Sequence, residues 1–278
     1  MDAMWRRLCI AWLALLLAST AMASASDEAE QRVLFVGNSL TYVNSLPLIF
    51  ELTVQAQGGS PRFRADMYVR GGARLGELEQ EPELRKLLDS GVYRVVVLQE
   101  RGGDALCLRQ GSETDDGARK RCEQMTAAHV GLARRAREHG ARVMYMGTYQ
   151  SSPQFSAMLV RAESALGKQM GAPVLEVSET LRKLQSRHPD YPWLFSDNAH
   201  PGIATTTLMA LRVYQALEPN APIRPYALCT ASNLYTTRLG EHAFVQHDKL
   251  SAATGPARCL LSEAQTRSII DALSVPKG

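Results

Sequence analysis

Short apolar runs alternate with longer segments of helical period along most of this chain. The clearest run, Val95-Val96-Val97-Leu98, lacks the alternation of a strand with one wet face. A run of this kind is typical of a strand that is buried on both faces, as in the centre of a parallel sheet. The predicted strands span about residues 32–36, 62–69, 92–98, 143–146 and 174–177.

Segments of helical period lie between and after these strands. They cover about residues 47–57, 77–89, 117–139, 155–170, 178–185 and 203–217. Strands that alternate with helices at this spacing form a parallel sheet covered on both faces, because each crossover must pass over one face of the sheet. The sequence therefore predicts an α/β fold, a flavodoxin-like three-layer α/β/α sandwich with a five-stranded parallel sheet.

The last part of the chain lacks this periodicity. Residues 223–260 are rich in Ser and Thr, and a closing helix is predicted at about residues 262–273. We interpret residues 223–278 as an irregular, disulfide-stapled appendage that packs on the same domain. Residues 26–278 are then one domain, which is within the size range of single α/β domains.

The first 25 residues have the pattern of a secretory signal peptide. Arg6 and Arg7 precede an apolar run over residues 8–18, and small residues suited to cleavage follow at positions 21–25. The run is too short for a membrane-spanning helix. We therefore predict a periplasmic or secreted protein with no stable membrane association after removal of the signal. An uncleaved membrane anchor is the alternative.

Four cysteines remain after removal of that segment, namely Cys107, Cys122, Cys229 and Cys259. An even number of cysteines in an exported protein indicates disulfides. Of the three possible pairings we favour the sequence-local one, Cys107 with Cys122 and Cys229 with Cys259. A metal site is the alternative, but the chain has no Cys-x-x-Cys or His-x-His spacing. We expect neither a metal nor a cofactor.

Basic residues do not indicate a nucleic-acid partner. The net charge is only +3 at pH 7, over 278 residues. The long helix predicted at 117–139 concentrates several cationic or titratable side chains, which we interpret as a solvated face rather than a ligand site. These residues are His129, Arg134, Arg135, Arg137 and His139.

Three residues are suited to nucleophilic catalysis. Ser39 directly follows the first predicted strand, at the carboxyl edge where open parallel sheets bind ligands. Asp197 and His200 lie far downstream, on the loop before the helix at 203–217. A hydroxyl becomes nucleophilic when an imidazole takes its proton and a carboxylate orients that imidazole. Taken singly, Ser39 could equally be a turn or helix-cap serine, and Asp197 with His200 a polar turn that caps the following helix.

Two motifs resemble those of the SGNH (GDSL-like) hydrolase family. Gly37-Asn38-Ser39-Leu40-Thr41 resembles the first block of that family, and Asp197-x-x-His200-Pro201 resembles the last. The resemblance covers about residues 32–217. It implies that Ser39 attacks an ester carbonyl, that His200 is the general base and that Asp197 holds the imidazole tautomer.

The resemblance also implies an oxyanion hole with backbone N–H groups from Ser39 and Gly72 and an Asn side chain after the third strand. No Asn follows that strand, which continues with Gln99-Glu100-Arg101-Gly102-Gly103-Asp104. Gln99 has the same amide chemistry one methylene further out and is the expected third donor. Asp104 is the other positional candidate, but an ionised carboxylate would repel an oxyanion.

Residues and resemblance together predict an exported serine esterase for short-chain acyl esters, above all O-acetyl esters of a carbohydrate or small molecule. An acyltransferase with the same acyl-enzyme is a close alternative. A non-catalytic carbohydrate-binding protein that retains the fold is a second hypothesis, supported by the missing Asn. A third is a phosphate or nucleotide binder at residues 37–41, which the single glycine and the lack of lysine there disfavour. Tyr149 and Gln150, after the fourth strand, are candidate substrate contacts.

Overall fold

The computed structural model describes residues 30–59, 63–108, 116–239 and 243–273. The predicted signal peptide, residues 1–25, lies outside the described residues, so its assignment stays a prediction. In the part of the chain that is described, no helix is long and apolar enough to cross a bilayer.

The described chain contains eight strands and ten α-helices. The strands are β1 Gln31–Gly37, β2 Phe63–Val69, β3 Tyr93–Gln99, β4 Arg142–Met146, β5 Val174–Leu175, β6 Leu228–Ser232, β7 Ala243–Val245 and β8 Ala253–Leu261. The helices are α1 Ser39–Tyr42, α2 Leu46–Ala56, α3 Leu75–Leu78, α4 Pro82–Asp89, α5 Asp116–Glu138, α6 Pro153–Met170, α7 Ser178–Arg187, α8 Ile203–Leu217, α9 His247–Ser251 and α10 Glu263–Leu273. A short 3-10 helix covers Asp104–Leu108.

The central sheet has the strand order β5-β4-β3-β1-β2-β7. The first five of these strands are parallel, and β7 pairs antiparallel with β2. The predicted flavodoxin-like α/β/α sandwich is confirmed, including its five parallel strands. The sixth strand was not predicted, and it comes from the segment that we expected to be irregular.

Each face of the sheet is covered by its own apolar layer. Val95 and Val97 of β3 point toward α2, α7, α8 and α10, whereas Val96 and Leu98 point toward α3, α4, α5 and α6. Successive side chains of a strand point to opposite faces, so a central strand covered by helices must be apolar at every position. This explains why the apolar run at the third strand shows no alternation.

Three predicted elements differ from the structure. The helix expected at 77–89 is two helices, α3 and α4, and Pro82 begins the second because proline suits a first helical turn. The strand expected at 174–177 pairs only over Val174–Leu175. The third strand ends one residue later than predicted, because Gln99 pairs with Met146 of β4.

The C-terminal part is more regular than predicted. β6 and β8 form a two-stranded antiparallel sheet, and β7 extends the central sheet. A disulfide joins Cys229 of β6 to Cys259 of β8, and a second joins Cys107 to Cys122. Both pairs are those that the sequence-local pairing predicted. The irregularity expected for residues 223–260 is therefore wrong, because short strands that pair only with each other carry a weak pattern.

His129 is not on a solvated face, in contrast to the interpretation from sequence. It shares a buried face of α5 with Met125, Leu132 and Ala136, and its side chain has no exposed surface. Its Nδ1 lies 2.7 Å from the carbonyl oxygen of Met125, and burial lowers the pKa of His129 to about 4. His129 is therefore a neutral core residue, whereas Arg134, Arg137 and His139 are exposed as expected.

Candidate active site

The turn after β1 places Ser39 at the carboxyl edge of the sheet. Gly37 ends β1, and a Cβ there would clash with the Thr41 hydroxyl, so glycine lets α1 fold back closely against the strand. Asn38 caps α1, because its Oδ1 accepts a hydrogen bond of 3.0 Å from the N–H of Leu40. Ser39 is the first residue of α1 and is partly exposed at this edge.

The turn after β2 lies beside Ser39. Asn38 Nδ2 donates a hydrogen bond of 3.2 Å to the carbonyl oxygen of Ala73 and so joins the two turns. Gly72 has a φ of +68°, in the left-handed region that favours glycine. Among the described residues, the backbone N–H groups of Ser39 and Gly72 have no hydrogen-bond acceptor. Both donors are therefore open to an oxygen atom of a ligand.

Asp197 and His200 form a hydrogen-bonded pair on the loop before α8. Asp197 Oδ2 lies 2.6 Å from Nδ1 of His200, and Asp197 Oδ1 accepts the backbone N–H groups of Ala199 and His200, each at 2.9 Å. Burial, which by itself would raise the pKa of Asp197, is outweighed by these hydrogen bonds from His200 and Ala199, and the pKa falls to about 2. Asp197 is thus an anion at neutral pH and orients the imidazole.

Because an anionic carboxylate can only accept, the proton of the His200 ring lies on Nδ1 when the ring is neutral. Nε2 is then left with a lone pair. The side chains of His200 and Asp197 are 24% and 36% exposed, so the pair lies at the surface and is open to a substrate. A neutral ring with a lone pair on Nε2 is the electronic state that a general base requires.

Two helices bring the Ser39 turn and the Asp197–His200 loop to the same edge. α2 begins seven positions after Ser39 and packs against α8, which begins three positions after His200. Asn44 Nδ2 donates a hydrogen bond of 2.7 Å to the carbonyl oxygen of Pro201. In the described part of the chain, no hydrogen bond joins Ser39 Oγ to His200 directly. The segment that carries Ser39 and the loop that carries His200 are linked through Asn44 and Pro201.

Gln99 does not reach this edge, which corrects the expectation that it is a third oxyanion donor. Its side chain is only 1% exposed. Oε1 accepts a hydrogen bond of 2.7 Å from the Thr41 hydroxyl, and Nε2 lies 3.4 Å from the sulfur of Met209 in α8. The contacts of Gln99 therefore belong to the layer between the sheet and α8.

The two carboxylates after β3 also have partners. Asp104 pairs with Arg74 at 2.8 Å and with Arg101 at 3.1 Å. Glu100 has no exposed surface and accepts the backbone N–H groups of Arg101 and Leu75. Burial raises the pKa of Glu100 to about 7, despite these two hydrogen bonds. Neither side chain is an oxyanion donor while it is ionised.

The loop after β4 was expected to contact substrate, and the structure gives its side chains other contacts. Tyr149 donates its hydroxyl to the carbonyl oxygen of Ala199, at 2.8 Å. Gln150 donates its backbone N–H to Ser178 Oγ, and its side-chain amide lies against Gly103. A substrate role for Tyr149 and Gln150 remains untested, but Tyr149 supports the loop that carries His200.

Sequence reasoning did not identify Asn44 as part of this site. The residue has a φ of +60°, a left-handed conformation that Asn tolerates better than most residues, and it is 8% exposed. Its partner Pro201 is 157 positions away. The signal available was local: an Asn shortly before Leu46-Pro47 suits a left-handed turn ahead of a helix.

Comparison with solved structures identifies the fold. A DUF4886 family protein from Bacteroides uniformis superposes with a TM-score of 0.56 at 12% identity, over 90% of this chain and 96% of that chain. TesA matches with a TM-score of 0.50 at 18% identity, over 68% and 99%. A catalytic mutant of Axe2, an acetylxylan esterase from Geobacillus stearothermophilus, matches with a TM-score of 0.50 at 11% identity, over 67% and 94%. The chain has the fold of the SGNH hydrolases.

No protein-family model and no curated protein sequence matches the chain. The similarity to solved structures lies between 11% and 18% identity for the three named here. It therefore identifies the fold, and function must be argued from the site itself.

Proposed function

We propose that this chain is a serine esterase in which Ser39 is the nucleophile, His200 the general base and Asp197 the residue that orients His200. The observation that carries the proposal is the pair of Asp197 and His200, with a 2.6 Å contact at Nδ1. Two backbone N–H groups of Asp197's own loop also hold the carboxylate, so the pair is built for one geometry. A polar turn that only caps α8 would not need this contact.

The chemistry follows from the protonation states. Nε2 of neutral His200 takes the proton of Ser39 as Oγ attacks the carbonyl carbon of the ester. The imidazolium that forms is stabilised by the anionic Asp197. The negative charge on the former carbonyl oxygen is met by the backbone N–H groups of Ser39 and Gly72. His200 then protonates the departing alcohol, and water attacks the acyl-enzyme by the same steps in reverse.

We further propose that the substrate is a short-chain acyl ester, with O-acetyl carbohydrate as the first class to test. Support comes from the solved acetylxylan esterases that share the fold. The two disulfides suit the oxidising compartment in which an exported esterase would act. The same acyl-enzyme would serve an acyltransferase, so assays should include an acceptor alcohol and measure both products.

A fluorophosphonate probe, which reacts only with an activated serine, tests the proposal without knowledge of the natural ester. We expect labelling of the wild-type protein and its loss in Ser39→Ala and His200→Ala. Ser151→Ala is the matched control, because Ser151 is an exposed serine in a loop at the same edge. The second assay is hydrolysis of p-nitrophenyl esters of increasing chain length. Labelling of Ser39→Ala at the wild-type rate would exclude Ser39 as the nucleophile.

A non-catalytic carbohydrate-binding protein is the second candidate function. The observation in its favour is that the side chain of Gln99 is engaged in the core, which leaves the candidate oxyanion site without the expected amide. This candidate predicts binding of acetylated oligosaccharide with no labelling of Ser39. The labelling experiment therefore separates the two.

A further inference from the structure

Residues 195–201, here called the His200 loop, are largely held by their own hydrogen bonds. The N–H of Phe195 donates to the carbonyl oxygen of His200, and the N–H of Asn198 donates to that of Phe195, each at 2.9 Å. Asn198 has a φ of +58°, which closes the turn tightly. These bonds fix the shape of the loop, but they do not fix where the loop lies relative to Ser39.

Two side chains from other elements tie the loop down. Tyr149, after β4, donates its hydroxyl to the carbonyl oxygen of Ala199 at 2.8 Å. Asn44, after α1, donates its amide to the carbonyl oxygen of Pro201 at 2.7 Å. Among the described residues, these are the two side-chain hydrogen bonds that reach the His200 loop from outside it. They bracket His200, one on the residue before it and one on the residue after it.

Asn44 comes from the segment that carries the nucleophile. It lies five positions after Ser39 and two positions after the end of the short helix that Ser39 begins. Both Asn44 and Ser45 have left-handed backbones, with φ of +60° and +55°. Strained positions of this kind persist where the surroundings hold them, and they are concentrated at functional sites. The strain at Asn44 places its amide on the His200 loop.

Tyr149 is suited to the same task. Burial, and then the charge of Asp197, raise the pKa of Tyr149, so its hydroxyl stays protonated and donates to Ala199 across the range in which an esterase works. The ring is half-buried against the core layer that contains α8. A protonated phenol on a packed ring is a stiff donor, because only rotation of two side-chain bonds can move it.

We propose that Asn44 and Tyr149 are positioning residues that hold the two carbonyls flanking His200 and so set its imidazole against Ser39. The inference rests on the proposed serine esterase function. It assigns to Tyr149 a role on the catalytic loop instead of the substrate contact expected from sequence. Neither residue touches the reacting atoms, and each acts through His200.

The chain offers a matched control for each residue. Asn44→Gly keeps the left-handed backbone and removes only the amide, and Ser45→Gly makes the same change one position later. The Ser45 side chain accepts from the N–H of Tyr235 and does not touch the His200 loop. Tyr149→Phe removes one hydroxyl, and Tyr226→Phe removes a hydroxyl that is bonded to Thr53 inside the core.

The rate of fluorophosphonate labelling and the values of kcat and KM on p-nitrophenyl acetate are measured for all four variants. Misplacement of a catalytic group by about 1 Å costs roughly 10²-fold in rate. We expect Asn44→Gly and Tyr149→Phe each to lower the labelling rate and kcat by about ten- to a hundredfold with KM nearly unchanged. Ser45→Gly and Tyr226→Phe should stay within about threefold of wild type.

Each positioning variant is then combined with His200→Ala. If Asn44 and Tyr149 act through His200, their substitutions lower the residual rate of p-nitrophenyl acetate hydrolysis no further in that background. Wild-type labelling rates in both single variants, or a further loss in the His200→Ala background, would overturn the inference while leaving the esterase intact. Absence of labelling in the wild-type protein would instead overturn the proposed function, and the inference with it.

Discussion

Glu163 is a buried carboxyl group whose titration should be visible in the stability of the protein. It lies in α6 with no exposed surface. Its Oε1 accepts the backbone N–H and the hydroxyl of Thr148, at 2.8 and 2.9 Å, whereas Oε2 has no hydrogen-bond partner among the described residues. Burial raises the pKa of Glu163 to about 8, although the two bonds from Thr148 act in the opposite direction.

The sign of the effect follows from proton binding. The pKa in the folded protein lies above the ordinary value of 4.5, so the folded state binds more protons than the unfolded state between pH 4.5 and about 8. The stability that Glu163 contributes is therefore full below about pH 4.5 and is lost as the pH rises through about 8. The slope is at most about 1.4 kcal/mol per pH unit and is smaller near each of the two pKa values, so the loss between pH 5 and pH 8 is roughly 3–4 kcal/mol.

Glu163→Gln isolates the pH-dependent contribution of Glu163 to the free energy of unfolding. The glutamine keeps an acceptor for Thr148 and is neutral at every pH, so it imitates the protonated carboxyl. We expect the free energy of unfolding of the variant, relative to wild type, to rise by about 3–4 kcal/mol from pH 5 to pH 8. Glu51 and Glu100, whose pKa values burial raises to about 7, titrate in both proteins and cancel in the difference.

Denaturant unfolding at pH 5, 6, 7 and 8 measures this difference directly. Glu138→Gln, at an exposed position of α5, is the control for removal of one negative charge. The glutamine amide has no partner where Oε2 lies, which lowers stability equally at each pH and leaves the slope unchanged. A difference between variant and wild type that is constant from pH 5 to pH 8 would refute the assignment of Glu163 as a carboxyl kept neutral by burial.

Three further outcomes are expected. Asp197→Asn should lower kcat on an acetyl ester by about 10²–10⁴-fold, because an amide N–H facing Nδ1 of His200 favours the wrong tautomer; kcat within tenfold of wild type would count against the triad. Gln99→Leu should lower the free energy of unfolding by about 1–3 kcal/mol, since the buried Thr41 hydroxyl loses its acceptor, while the labelling rate of Ser39 changes little. A large fall in that rate with unchanged stability would restore Gln99 as an oxyanion donor. Mass analysis should find the cysteines of residues 26–278 unreactive toward alkylation before reduction and all reactive after it; free thiols in protein from an oxidising compartment would contradict the two disulfides.

The parallel sheet could be predicted because each of its main strands is marked by an apolar run within a short stretch of sequence. The apolar runs at β1 and β3 are long enough to identify buried strands, and α8 has the predicted bounds because Gly202 immediately precedes it and Pro219 follows it. Cys229 and Cys259, paired by their spacing, lie on partner strands β6 and β8. The strands themselves escaped prediction, since the pairing partner of each is distant in sequence and their pattern is short.

His129 shows a different kind of error. It shares its helix with Arg134, Arg135, Arg137 and His139, and that composition suggested a solvated face. On a helix, however, the neighbours that matter are three and four positions away. Met125, Leu132 and Ala133 stand at those spacings and are buried. Counting helical positions instead of local charge would have placed His129 in the core.

The end of β3 determines what the oxyanion site can contain. Because the strand continues through Gln99, the alternation of side chains puts Gln99 on the same face as Val95 and Val97, toward α8 and away from the edge. The amide is then needed inside the core, where it accepts from Thr41. The donors identified at the edge are then the backbone N–H groups of Ser39 and Gly72. Each missing donor is worth about 10²–10³ in rate. An esterase built in this way should react more slowly by that factor than one with an amide at this point, and a comparison of the labelling rates of the two enzymes measures that factor.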